Sequence, residues 1–481
     1  MFLDSILGWT VFALTSFAVL ISPWFFGAWE MWWFWPFALL IFMSAFVLGL
    51  RLVLRGSIRG ERPARGQDIE MNDAGEMAPR ENRFPRQAVW LALGFLPFLV
   101  YAFVRFMQTS VHMDAERSFL RYLTAFLVGL QVVFSFSRGQ KRALWVLVVA
   151  DLCLLGGYGV VNHLVWGSQM VLWRPGYAQY VCDNRATGSY FCPDHFSGIA
   201  ELALAAGLAL ILAREKGWIW KVTGLLAAAV GMAGVVLSRS RGGGLAVAVI
   251  IVAALGWGLA QWPPARRWYF RLCAVSLLVI GGVLAWNSQH PYVTRFKQYP
   301  AWGGEGRVHS LAQLKERVVQ GALTSDRGLM IAGALRAWKT SPWIGIGPGM
   351  HQNLWFHFSA SPDGNREAHV WPEAPNWGFH SYEVHSDWVQ LLEEYGVVGL
   401  ALFLLPAGWW GALLLGALRR QRLARAANEW EPVGGEHHDL LMAGLLTGAC
   451  MAFHSLGDFN LQMPATVWLL SALAGLSAAH A

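Results

Sequence analysis

The stretch GGLAVAVIIVAALGWGLAQ, residues 243–261, runs for 19 positions without a charged side chain. It is apolar on every helical face and lacks the alternation of a lipid-facing β-strand. It therefore reads as a transmembrane α-helix, whose backbone satisfies its own hydrogen bonds in lipid. Crossing the hydrocarbon core takes about 20 mostly apolar residues. Eleven further segments meet that requirement: 6–26, 31–50, 88–107, 119–136, 143–161, 195–213, 218–237, 269–287, 396–416, 439–456 and 463–480. The expected fold class is all-α, a polytopic membrane helix bundle of about 12 transmembrane helices.

Composition agrees. Of 481 residues, 55% are hydrophobic and 14% charged, against about 25% charged in soluble chains. The 51 Gly, 27 Trp and 28 Phe fit helices packed in lipid with aromatic belts. A soluble enzyme, a disulfide scaffold and a disordered chain are excluded. The net charge of +7 does not imply nucleic acid, because the charges lie at the ends of apolar segments. No basic residue precedes the first apolar stretch and no small-residue cleavage site follows it, so it is expected to remain as a span.

Charge also sets the expected orientation. With the N-terminus inside, cytoplasmic loops and flanks hold 21 Lys and Arg, 8 of them in the basic loop 51–87, whereas the short outside loops hold 7. The positive-inside rule then expects both termini in the cytoplasm. Residues 288–386 become a long outside loop between the ninth and tenth spans, holding 7 of the 14 histidines. Within it, Ser310–Gln320 and Ser325–Lys339 read as short helices opened by capping serines. Gly303-Gly304, Gly345 to Gly349 and Pro362-Asp363-Gly364 read as turns. The whole of 1–481 reads as a single polytopic membrane domain.

Three clusters carry chemistry. Ser238-Arg239-Ser240-Arg241-Gly242-Gly243-Gly244 places two arginines at a glycine-rich helix start, where guanidinium groups and the helix dipole favour a phosphate. Headgroup anchoring is the alternative. Arg327 lies on the apolar face of its helix with Ile331, Ala334 and Trp338, where a cation needs an anionic partner, whether a ligand or a buried ion pair. Arg336 lies opposite and reads as solvated. The turn containing Gly347 reads as one that a ligand can approach. His380 to Trp388 then runs into the tenth span, where Asp387, Gln390 and Glu394 form a polar stripe implying a water-filled cavity. A histidine at that mouth can take a hydroxyl proton. A metal held by His380, Glu383 and His385 lacks a recognised ligand spacing, so no metal or cofactor is expected. His454 to Pro464, with Asp458, either lines the same cavity or caps two helices. Asp151 and Glu201 stand inside spans without assigned partners.

Ser240-Arg241-Gly242, Asp326-Arg327 with Trp338, Pro342 and Gly345-Ile346-Gly347, His385-Ser386-Asp387-Trp388-Val389-Gln390 with Glu394-Tyr395-Gly396, and Asp458-Phe459-Asn460-Leu461 with Pro464 together resemble the O-antigen ligase and polymerase superfamily. The resemblance covers roughly residues 220 to 480, with a ligase-like core region at 220–403. It implies a bacterial inner-membrane glycosyltransferase with a periplasmic active site. Such an enzyme passes a glycan from undecaprenyl diphosphate to a hydroxyl acceptor, a lipid such as the lipid A core or another glycan, with inversion and without a metal. It further implies that Arg241 and Arg327 bind the diphosphate and that His385 acts as base or orienting group. Arg239, Gly242, Gly347, His380, Asp387, Glu394 and Asp458 are the further substrate-contacting candidates. Where the family often has His-Asn, this chain has His385-Ser386.

The superfamily also includes polysaccharide polymerases and protein O-oligosaccharyltransferases, and a polysaccharide transporter or flippase is the alternative from another class. Membrane lipids are expected partners in every case. In an oxidising periplasm Cys182 and Cys192, both in the outside loop 162–194, are expected to form a disulfide.

Overall fold

The computed structural model describes residues 2–60, 69–71, 77–79, 86–168, 170–171, 174–175, 184–213, 216–260, 326–359, 380–426 and 437–481, with isolated positions between 290 and 316. Among them the chain is a helix bundle: α1 (Phe2–Ile21), α2 (Met31–Gly60), α3 (Arg86–Gln108), α4 (His112–Phe134), α5 (Arg138–Trp166), α6 (Pro193–Leu212), α7 (Trp218–Ser238), α8 (Arg241–Ala260), α9 (Asp326–Thr340), α10 (His351–Phe358), α11 (Asp387–Ala426), α12 (His438–His454) and α13 (Pro464–Ala478). Two short antiparallel ribbons, Ile69–Met71 with Met77–Pro79 and Met170–Val171 with Arg174–Pro175, lie between helices.

Nine helices among the described residues are long and apolar enough to cross a membrane: α1 to α8 and α11. The chain is a polytopic membrane protein. The expected segment 269–287 lies outside the described residues, as do the turns at 303–304 and 362–364 and most of Ser310–Gln320. The segments 439–456 and 463–480 form helices of only 17 and 15 residues. At 1.5 Å per residue each is shorter than the ~30 Å hydrocarbon core. The count of 12 is thus not carried by the structure. The reason is local: the chain reverses inside the protein between α12 and α13, and Ser455, Asp458, Asn460 and Gln462 of that turn are buried. Irregular backbone is tolerated there only because protein, not lipid, surrounds it.

α6 is the axis of the bundle, and nearly all its side chains are buried. Small residues make this possible. A methyl group on Gly207 would lie 2.5 Å from the Gly224 carbonyl oxygen of α7, and one on Gly231 of α7 would lie 2.5 Å from that of Ala200. The backbones therefore approach closely, as in other membrane helix pairs. Polar bridges fix other neighbours. Thr15 of α1 bonds Ser44 of α2 at 2.7 Å and donates to Gln131 of α4, and Trp468 of α13 donates to Thr124 of α4 at 2.8 Å.

α11 is broken at Gly396, where φ is 67° and ψ −174°. The carbonyls released there are not left bare. Ile346 and Gly347 donate their N–H groups to Glu393 and Glu394 oxygens at 2.9 and 3.0 Å. In return Val397 and Val398 donate to Pro342 and Trp343 at 3.0 and 3.1 Å. The glycine-rich turn after α9 is therefore approached by the backbone of α11. Gly347 lies at that junction beside Thr109 and Met350.

Only glycine holds the Gly396 conformation without strain, which costs other residues about 1–3 kcal/mol. A Cβ there would also meet the Trp343 oxygen at 2.3 Å, whereas one on Gly411 of the same helix meets nothing within 4 Å. Gly396→Ala is expected to lower the detergent melting temperature by at least about 3 °C, with Gly411→Ala unchanged or slightly raised, as read by thiol-reactive dye unfolding.

Candidate functional site

Between α7 and α8 the chain turns in two residues. Arg239 takes the left-handed conformation, φ 52°, as the cap of α7, and Ser240 caps α8 through a 3.2 Å bond from the Gly243 N–H. Gly244 donates to the Ser240 carbonyl at 3.0 Å, so these amides are satisfied within the turn. The glycines instead bring α8 against its neighbours. A methyl group on Gly242 would lie 2.9 Å from the His454 ring, and one on Gly243 would overlap Ser197 and Glu201. Arg241 is thereby held, half-buried, at the edge of a cluster built by α6, α9, α12 and the turn 455–463.

Asp458 is the centre of that cluster and is fully buried. Its Oδ2 lies 3.4 Å from Arg327 Nη2 and 3.7 Å from His454 Nε2. Its Oδ1 lies 3.5 Å from His385 Nδ1 and 3.9 Å from His195 Nε2, and accepts the Phe459 N–H at 2.9 Å. Arg327 Nη2 also meets Asp194 Oδ2 at 2.9 Å, and Nη1 donates to the Gly457 carbonyl. Arg185 closes the cluster, 2.6 Å from Asp194 Oδ1 and 2.6 Å from the Ser238 carbonyl of α7. The ring of Phe459 takes the edges of His195 and His385 at 4.4 and 4.5 Å. Burial alone would raise the Asp458 carboxyl, but Arg327, His385 and His454 outweigh it and hold it well below the usual carboxylate range. Burial would likewise lower the Arg327 guanidinium, yet Asp458 and Asp194 hold it above its usual value.

Glu201, about two turns deeper on α6, gains partners that its sequence position did not reveal. It accepts from His454 Nδ1 at 2.8 Å, Ser197 Oγ at 2.9 Å and Cys450 Sγ at 3.0 Å. Asp151 accepts the Trp24 indole N–H at 2.8 Å, away from this cluster.

The segment carrying His385 is held by a second buried network. His351 of α10 bonds Glu393 at 2.8 Å through Nδ1 and Ser381 at 3.0 Å through Nε2, and Ser381 donates to the Glu383 carbonyl. Burial would lower the His351 imidazole, but the hydrogen bond and charge of Glu393 outweigh it and hold it above the usual histidine range. Asp387 ties the start of α11 to the 455–463 turn by accepting from Ser455 Oγ at 2.7 Å and Leu461 N–H at 2.9 Å. His385 itself has φ 57° and is one-quarter exposed.

Two cavities flank this turn and meet at Gln462. One, about 460 Å³, is polar and lined by Arg117, Arg121, His195, Glu383, Gln390, Glu394 and Phe459 among others. The other, about 570 Å³, is apolar and lies among α3, α4, α11, α12 and α13.

The structure brings together Arg327, His385 and Asp458, with Gly242 against His454, and sets Glu394 on the polar cavity. His380 stacks on Phe356 and meets the Tyr382 ring edge-on, outside the ion cluster. Arg336 is not simply solvated, for it bonds the Phe358 and Ser359 carbonyls at the end of α10. Cys182 lies outside the described residues, so the expected pairing does too, and Cys192 is a free cysteine before α6. Sequence reasoning missed Asp194, His195 and Arg185 as members of the centre, and left His454 between lining the cavity and capping a helix. An Asp-His pair opening an apolar span was the available signal.

The two shifted groups set opposite limbs of a stability profile. A depressed Asp458 contributes stability above about pH 4 that is lost as pH falls through its folded value. A raised His351 contributes stability below about pH 6.5 that is lost as pH rises through its folded value. Melting temperature against pH is expected to peak between them, with Asp458→Asn flattening the acid limb and His351→Gln the alkaline one.

No curated protein matches the chain. Residues 226–404, from within α7 to within α11, match the family model described as O-antigen ligase. The match takes in Arg239, Arg241, Gly242, Arg327, Gly347, His380, His385, Asp387 and Glu394, with Asp458 beyond its end. Over this segment the chain is similar to the O-antigen ligase family.

Proposed function

We propose that the chain is a membrane glycosyltransferase that moves a glycan from undecaprenyl diphosphate to a hydroxyl acceptor, such as the lipid A core, on the periplasmic face. One observation carries the reading. A single buried carboxylate, Asp458, stands between the Arg327 guanidinium at 3.4 Å and the His385 imidazole at 3.5 Å. A fixed cation and a proton acceptor are thus held around one point.

In this reaction the acceptor oxygen attacks the anomeric carbon. The new C–O bond forms as the bond to the diphosphate oxygen breaks, so the configuration inverts. His385 Nε2 takes the hydroxyl proton. Asp458, facing Nδ1, keeps the other proton there and steadies the imidazolium. Arg241 and Arg327, with Arg239 beside them, hold the charge that develops on the departing undecaprenyl diphosphate, so a divalent ion is not required. The apolar cavity suits the polyprenyl chain and the polar cavity the glycan. Asp387 and Gly347 act through the backbone they fix, and His380 through the loop it packs.

The test is transfer by the purified chain in proteoliposomes supplied with a lipid-linked glycan and its acceptor. Arg241→Ala is expected to lower the rate about 10²–10³-fold, and His385→Ala about 10²–10⁴-fold, with the amount of folded protein unchanged. Arg327→Ala should also reduce folded protein, because it leaves Asp194 and Asp458 unpaired. Arg327→Lys keeps the charge and separates folding from catalysis. Chelator should leave transfer intact, and the product anomer should be inverted. Near-normal transfer by His385→Ala would overturn the assignment. With the N-terminus cytoplasmic, a cysteine placed near Gly364 should label from outside without permeabilisation, and labelling only after it would invert the topology.

A further inference from the structure

The polar cavity contains two arginines that the reaction above does not use. Arg117 and Arg121 stand four residues apart on α4, so they share one side of it, and both line the cavity of about 460 Å³. Arg121 is only 5% exposed, and its Nε has no hydrogen-bond partner. Its Nη2 reaches Ser118 Oγ only at 3.5 Å, and its Cζ lies 5.0 Å from the centre of the Tyr122 ring. Arg117 lies 4.2 Å over the Trp29 ring and donates to the Trp29 carbonyl. Among the described residues no carboxylate forms an ion pair with either. A buried guanidinium donor left unpaired is costly, and its presence on a cavity wall calls for a ligand that completes it.

The rest of the wall selects the ligand. Glu383 and Glu394 line the same cavity and act electrostatically on Arg121. A phosphate or carboxylate would satisfy the arginines but would be repelled by these two side chains, and an organic cation would meet the reverse. A ring bearing several hydroxyls accepts from guanidinium groups and donates to carboxylates at once. Its C–H face can lie against Trp29 or Phe459. We propose that this cavity is a saccharide subsite in which Arg117 and Arg121 read the hydroxyls of an uncharged sugar unit. The proposal rests on the glycosyltransferase reading and adds the residues that select the glycan. The sugar belongs either to the donor or to the acceptor.

The experiment measures KM for donor and acceptor separately in proteoliposomes, with wild type, Arg121→Gln, Arg121→Lys, Arg117→Gln and Gln352→Trp. Gln352 lines the cavity too, and tryptophan there fills it while keeping both arginines. Loss of a charged donor should raise one KM about 10–100-fold, with a smaller change in kcat. Arg121→Lys should recover only part of that loss, because a point charge cannot present the guanidinium fork. A shifted donor KM assigns the sugar to the donor, and a shifted acceptor KM to the acceptor. If Arg121→Gln does not accumulate, Arg117→Gln and Gln352→Trp decide the matter. Wild-type transfer with both KM values unchanged within about twofold in the accumulating variants would overturn the subsite. A loss confined to kcat would overturn it as well and move the arginines to the bond-breaking step. Absence of transfer by wild type would instead overturn the underlying function.

Discussion

A carboxylate with no exposed surface cannot stay ionised by itself, and Asp458 has none. Taking such a group from water costs several kcal/mol even after relaxation. The repayment here comes from four directions: Arg327 on α9, His454 on α12, His195 on α6 and His385 before α11. Those elements are far apart in sequence, so the charge can be buried only when all of them have assembled. The same condition makes the cluster specific. If α9 failed to dock, Asp194 and Asp458 would be left without Arg327, and breaking a buried pair costs about 3–5 kcal/mol. α9 is thereby tied to the bundle by charge.

A second constraint fixes where His385 stands. The break at Gly396 leaves Glu393 and Glu394 carbonyls without helical partners, and the 341–349 turn supplies them. Tyr101 of α3 adds a 2.8 Å bond to the Tyr395 carbonyl, and Arg105 a 3.0 Å bond to that of Gly345. The Glu393 side chain meanwhile holds His351, which holds Ser381. One helix break therefore organises α3, α9, α10 and the residues just before His385. The glycines at 345 and 396 are explained by backbone meeting backbone, and Gly347 by its left-handed φ of 113° beside the Thr109 side chain.

The bundle was legible because apolar runs without alternation have one solution in lipid, and seven of the nine long helices among the described residues begin near where the runs do. The residues around the buried carboxylate were legible in part as well, since Arg327, His385 and Asp458 lie in motifs whose order survives any error in helix boundaries. What the sequence concealed were partners. Asp194 and His195 look like an ordinary helix start, and Arg117 and Arg121 look like outside flank charges, because pairing across helices leaves no periodic trace. α4 begins at His112 rather than 119 for the same reason: its first turns are polar towards a cavity, and hydropathy discards them. Likewise the 17- and 15-residue lengths of α12 and α13 follow from a buried turn that an apolar count cannot see.

The burial of α6 then acquires a chemical reason. It presents Asp194, His195, Ser197 and Glu201 within two turns, and each reaches a different neighbour: Arg327 and Arg185, Asp458, Glu201 itself, and His454 with Cys450. A helix that offers polar and charged groups to several neighbours cannot turn them to lipid, so it must be ringed by other helices. Close approach to α7 through glycines leaves room for that ring, and α8 and α12 complete it. The requirement to keep charge out of lipid thus sets the order of helices around α6. That order carries the starts of α6 and α8 and the end of α12 to one end of the bundle, where Arg327 and His385 meet Asp458 and Gly242 lies against His454.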